Sequence, residues 1–187
     1  MDQIGYVLLG VALMLVLSYV KTRYLDFGAQ SPLDYAKESG QFDIREHLNG
    51  PIECEGVIYG PTGRVTSRFV GNFEATWDGN KGVMTEEFRY DSGTVQHREW
   101  HLTLGNDGKI KAEAADVIGA GSGTQMGSAV QLNYRIKLPD EAGGHVLDTV
   151  DWMYLAPNGA IVNRSQFRKF GFKVAELVAT MRRTDAA

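Results

Sequence analysis

Three charged side chains fall where apolar ones are expected. Glu86 alternates in step with Met84, Phe88 and Tyr90, and Arg98 with Trp100, Leu102 and Leu104. Asp116 keeps the parity of Ile110, Ala112, Ala114 and Ile118. Residues two apart on a strand point to one face, so adjacent antiparallel strands would gather Glu86, Arg98 and Asp116 into one interior polar cluster beside Trp100. An unpaired buried charge is costly, so Arg98 is expected to bond at least one of the acids. Two chemistries fit this cluster. The guanidinium could grip a ligand's carboxylate or phosphate through two parallel hydrogen bonds, or the charges could form an internal ion pair that plugs the interior.

A second constellation is "DWMYL". Trp152 shares parity with Val146, Val150 and Tyr154, and Asp151 with Leu147, Thr149, Met153 and Leu155. Both faces are partly apolar, so periodicity leaves open which residue points inward. The turn "APNGA" brings "NRSQFRKFG" back beside this strand, so Asn163 or Lys169 could satisfy Asp151 while Trp152 packs in the wall. A structural polar clasp and a catalytic carboxylate are both compatible with that pattern.

Other motifs carry less. In "HREWH", His97, Glu99 and His101 could hold zinc, but their parity is outward and reads as a solvated strand face. "GAGSG", Gly119 to Gly123, does not match G-x-G-x-x-G and precedes no helix, so it reads as a flexible hairpin connection. There is no G-x-S-x-G element. The single Cys54 allows neither an intramolecular disulfide nor a multi-cysteine metal site. No catalytic residue, metal site or cofactor is therefore assigned.

The elements that must position these residues read as strands. In "RVTSRFVGNFEATW" Val65, Phe69, Gly71, Phe73, Ala75 and Trp77 alternate with polar residues, as do Met126, Val130, Leu132, Tyr134, Ile136 and Leu138 in "MGSAVQLNYRIKL". Turn signals such as "GPTGR", "WDGNKG", "YDSGT", "GNDGK" and "LPDEAGG" separate the runs. Strands are expected near residues 51–59, 64–77, 82–90, 94–104, 109–118, 125–138, 146–155, 160–166 and 172–182. Eight or nine antiparallel strands in sequential hairpins predict an all-β, up-and-down barrel, in which closure removes exposed edges.

Ahead of the strands, "IGYVLLGVALMLVLSYV" from Ile4 to Val20 carries no charge and is followed by Lys21 and Arg23. That length lies near the lower limit for crossing a hydrocarbon core of roughly 30 Å, with Tyr6, Tyr19 and Tyr24 near its ends. No basic residue precedes it and no small-residue cleavage pattern follows, so it reads as an uncleaved transmembrane anchor. Only Asp2 precedes it, so Lys21 and Arg23 argue for a cytoplasmic domain by the positive-inside rule. The expected organisation is an anchor over 1–23, a linker over 24–41 and a barrel over 42–187. Across the 187 residues the net charge of -4, without a basic stripe, excludes a nucleic-acid footprint, and 22 glycines suit many turns.

Several strings, taken together, resemble domain of unknown function 3833, a bacterial family with a lipocalin-like barrel. They are "FDIREHLNGPIECEGVIYGPTGRVTSRF", "TEEFRYDSG", "HREWHL", "ADVIGAGSG", "DWMYL" and "NRSQFRKFG". The resemblance runs from about Phe42 to the C-terminus. Its characteristic positions carry over as Gly50, Gly56, Glu87, Phe88, Arg98, Trp100, Asp116, Gly119, Asp151, Trp152, Asn163, Lys169, Phe170 and Gly171. It implies an envelope protein, since many relatives look like exported lipoproteins; here an apolar helix stands in place of a lipidated cysteine. That favours the periplasmic face of the bacterial inner membrane, against the charge rule. Relatives tend to be encoded near enzymes that modify membrane fatty acyl chains. The expected function is binding or handling of a membrane lipid or fatty acid. The alternatives are a filled barrel that scaffolds a membrane-protein partner and a lipid-modifying enzyme using Asp116, Glu86 or Asp151 in acid/base chemistry.

Overall fold

The computed structural model describes residues 3–184; residues 1–2 and 185–187, which fall within the expected anchor and barrel, lie outside it. A helix, α1 (Gln3–Tyr24), is followed by two 3-10 turns at Phe27–Ala29 and Pro32–Tyr35 and a one-turn helix, α2 (Ile44–His47). Ten strands follow: β1 (Gly50–Tyr59), β2 (Val65–Asp78), β3 (Lys81–Tyr90), β4 (Val95–Leu104) and β5 (Lys109–Ala114). The others are β6 (Gly121–Met126), β7 (Ala129–Lys137), β8 (Val146–Leu155), β9 (Ile161–Lys169) and β10 (Phe172–Arg183). Every strand pairs antiparallel with its sequence neighbour, and β1 closes on β10 with Gly56 opposite Ala179. The expected closed, up-and-down antiparallel barrel is the fold.

The tenth strand is the difference. "GSGTQM" was expected as a flexible connection running into one long strand, yet it forms β6, with Lys109 opposite Thr124 and Ser122 opposite Asn133. Its glycines hide the strand signal because they serve close packing. A Cβ at Gly123 would lie 2.2 Å from the Gln131 carbonyl oxygen, and one at Gly121 would lie 3.0 Å from Tyr134 Cβ. The preceding strand is shorter than expected and ends at Ala114, so Asp116 stands on the β5–β6 connection. Lys137 N donates to its carbonyl at 2.8 Å, which holds that connection against β7.

Alternating hairpins give the barrel two distinct ends. The turns after β2, β4, β6 and β8 lie at one end, which α2 closes with Ile44 and Leu48 buried beside Phe42. Trp77 Nε1 donates to the Leu48 carbonyl at 2.7 Å and Phe42 N to that of Gly127 at 2.8 Å, fixing the plug. Asp43 caps α2 by accepting from Arg45 N at 2.9 Å. The turns after β1, β3, β5, β7 and β9 surround the opposite end.

Residues 24–41 pack along the outer wall. Phe27 is buried against the guanidinium of Arg164, 4.6 Å from its ring, and Tyr35 lies 5.4 Å from the Trp152 ring. Gln30 Oε1 accepts from Tyr154 at 2.7 Å, and Asp26 faces Arg168 at 3.5 Å. The segment therefore runs as a strap from the β9–β10 end down to α2. Helix α1 buries no residue and is long and apolar enough to cross a membrane.

Candidate functional site

Inside the barrel is a cavity of about 740 Å³. Phe69, Phe88, Trp100, Leu132, Leu147 and Met153 give it apolar walls, and Thr94, Val95, Pro139 and Ala142 border it at the end opposite α2. Glu86, Arg98, Tyr134, Asp151, Asn163 and Ser165 form a polar layer across it, and Tyr90, Thr94 and Gln96 add polar groups on β3, the β3–β4 turn and β4.

On one side of that layer, Glu86 and Arg98 sit directly opposite each other in the β3–β4 register. Arg98 donates through Nε and Nη2 to the two oxygens of Asp116, at 2.8 and 3.1 Å, a bidentate fork. Its Nη1 stands 3.5 Å from Glu86 Oε2, and the guanidinium carbon lies 4.6 Å from the Trp100 ring centre. The four residues expected to cluster therefore do so, with the fork of Arg98 already taken by Asp116. Among the described residues no hydrogen bond reaches Glu86 Oε2. Burial pushes the Glu86 carboxyl up to about 7, although Arg98 and Trp100 pull it down. Burial opposes the Arg98 charge, but Glu86 and Asp116 hold its pKa above the ordinary value.

On the other side, Asp151 points into the cavity and Trp152 away from it. Asp151 Oδ1 accepts from Ser165 Oγ at 2.7 Å and from Asn163 Nδ2, which also donates to the Trp152 carbonyl at 3.0 Å. Burial raises the Asp151 carboxyl; the Ser165, Asn163 and Tyr134 side chains and the Arg98 charge pull the other way. Lys169 is not a partner of Asp151. Six residues beyond Asn163 along the strand, it ends β9 at the rim, where its Nζ lies 2.9 Å from His145 Nδ1. Gly171 occupies the β9–β10 turn at φ 82°.

Tyr134 and Ser165 were missed in the sequence, and Tyr134 joins the two sides. Its ring meets Trp100 edge-on at 5.2 Å, and burial together with Asp151 raises its hydroxyl pKa well above the ordinary value. Its place among Leu132 and Ile136 marked it as a phenol on an inward face. Ser165 shares the parity of Asn163 and Phe167, but a small hydroxyl among larger residues gives little signal. His97, Glu99 and His101 stand exposed on the outer face of β4, with His101 Nε2 2.9 Å from Glu99.

A closed antiparallel barrel with one end plugged, one end lined by loops and an internal cavity defines a lipocalin-like barrel protein. The chain belongs to the family of proteins of unknown function DUF3833, which matches residues 23–183. The match thus includes the strap as well as the barrel. No curated protein matches the sequence. Among solved structures the fold is similar to the S-type phycobiliprotein lyase CPES from Guillardia theta. The TM-score is 0.57 at 12% identity, over 84% of this chain and 99% of that one. It is also similar to Rv2717c from M. tuberculosis, with TM-score 0.54 at 15% identity, over 74% and 94% of the two chains. At these identities the likeness is one of fold.

Proposed function

We propose that this protein is a membrane-anchored barrel that binds a lipid or fatty acyl ligand in its lumen. The carrying observation is the cavity of about 740 Å³, with largely apolar walls crossed by a polar layer. Its size falls in the range of about 300–1,000 Å³ usual for small-molecule sites. An acyl chain fits such walls by burial of apolar surface, and the polar layer offers its other end hydrogen bonds. Because Asp116 occupies the Arg98 fork, the ligand's polar end is met by Glu86, whose carboxyl near 7 donates when protonated. Such a site favours an ester, alcohol or protonated acid over a fixed anion. Helix α1 serves as the anchor, and the family resemblance supports the bacterial inner membrane with the barrel on its periplasmic side. Protease accessibility in spheroplasts tests that side.

The test of binding is to purify the full chain in detergent, identify co-purified lipids by mass spectrometry and titrate the delipidated protein with a fluorescent fatty acid. Leu132→Trp, which fills the lumen, should abolish binding while the barrel stays folded. Unchanged binding in that variant overturns the reading. The open lumen counts against a purely scaffolding barrel. A second reading rests on Glu86 Oε2, which lines the cavity without a hydrogen bond and 3.5 Å from Arg98 Nη1: the carboxyl works as a general acid/base on the bound lipid. It requires Glu86→Gln to retain ligand and lose turnover.

A further inference from the structure

The β9–β10 turn exposes two aromatic rings that the barrel does not bury. Phe170 is 87% and Phe172 77% exposed. Phe170 is the one non-glycine residue with positive φ among the described residues, at 52°. A turn with φ above zero at both central residues favours Asn, Asp or Gly, so a bulky aromatic there costs backbone strain without burial in return. Strain of that kind marks functional positions. Basic residues flank the pair: Lys169, together with Arg168 and Lys173, which are ion-paired with Asp26 and Glu176.

The position of the turn is equally informative. It lies at the open end of the barrel, where Lys169 contacts His145 on the β7–β8 connection, whose Pro139 and Ala142 border the cavity. The strap brings α1 to the same place. Asp26 faces Arg168 at 3.5 Å, and Tyr24, the last residue of α1, is two residues before Asp26, a span of at most about 7 Å. The anchor's exit and the exposed aromatics are therefore neighbours.

We infer that the Phe170–Phe172 turn dips into the bilayer interface, with Lys169 on anionic headgroups, so that the barrel mouth faces the membrane and draws its ligand from it. This rests on the reading of α1 as a membrane anchor. Aromatic rings favour the interfacial zone and lysine stems reach from it toward water. Basic residues near an anionic surface add attraction. A bilayer crossed by α1 is held beside this turn at high effective concentration, which a separate protein partner would lack.

The test uses the full chain in a Cys54→Ser background, in phosphatidylcholine vesicles with or without phosphatidylglycerol. An environment-sensitive fluorophore is placed at Leu13→Cys in the anchor, Phe172→Cys in the turn, or Asn158→Cys at the plugged end. Lipids carrying a nitroxide on the acyl chain report contact. The expected result is a blue shift and loss of emission at positions 13 and 172, none at 158, with a larger loss at 172 when phosphatidylglycerol is present. Phe170→Ser should reduce the loss at 172. Quenching at 13 without quenching at 172 overturns the turn's role and leaves the anchor standing. Quenching at neither overturns both. A blue shift at 172 that lipid nitroxides do not quench, and that grows with protein concentration, overturns it in favour of a protein interface.

Discussion

Asp151 and Trp152, adjacent in the chain, serve opposite sides of one barrel wall. The carboxylate is held inside by Asn163 and Ser165, while the indole is 1% exposed outside, beneath Tyr35 of the strap. A pair that looks like one motif is two structural devices back to back, and each is separately testable.

Trp152→Ala should destabilise the protein by about 3–5 kcal/mol, the usual cost of deleting a large buried aromatic. Because the ring seats the strap, hydrogen exchange across residues 25–41 should speed up in this variant before the barrel strands respond. Equal acceleration in β4 would show that the strap has no stability of its own.

The clasp on Asp151 predicts a partner-specific coupling. A double-mutant cycle with Asp151→Asn and Asn163→Ala should give an interaction of about 1–3 kcal/mol, as for groups sharing a buried network. The matching cycle with Lys169→Ala should give none, since Lys169 contacts His145 at the barrel rim, a long way along the strand from Asp151.

Removing the cation from the interior should be worse than removing one acid. Arg98→Ala leaves buried Glu86 and partly buried Asp116 without their counter-charge and should cost about 3–5 kcal/mol. Arg98→Lys should recover only part of that, because an ammonium cannot reproduce the two-point fork. Chemical denaturation of the purified variants measures both.

Glu86 predicts a pH dependence of definite sign. Its folded pKa of about 7 lies above the ordinary 4.5, so the folded chain binds the proton more tightly. Stability contributed by that proton is complete below about pH 4.5 and is lost as the pH rises to about 7. Glu86→Gln should therefore flatten this part of the profile and stabilise the protein by about 1–3 kcal/mol at pH 8 relative to the parent, with the difference shrinking toward pH 5. An unchanged slope between pH 5 and 7 would mean that Glu86 is ionised throughout.

Strand alternation sufficed to read the barrel, because one face of each hairpin is buried and period two is then enforced residue by residue. It also placed Glu86, Arg98 and Asp116 together, since parity and adjacency are both visible in the chain. Alternation failed at β6, where glycines replace side chains so that backbones can approach, and an apolar pattern has nothing to register. It failed also for residues 24–41: Phe27 and Tyr35 are spaced to suit an outer wall formed far away in sequence. Of the two partners open to Asp151, Asn163 rather than Lys169 meets it, because charge complementarity carries no information about how far along a strand a residue lies.

The seam between β1 and β10 has a consequence for how the molecule is made. Gly56 meets Ala179 across that seam, so the first strand must wait for the last before its open edge is covered. Ribosomal synthesis delivers the two about 120 residues apart, at roughly 5–20 residues per second, which leaves an unpaired edge for several seconds. Pairings so distant in the chain also slow folding. During that interval the strap gives β1 no hydrogen-bonding partner, and this protein is most vulnerable to aggregation before residue 172 emerges.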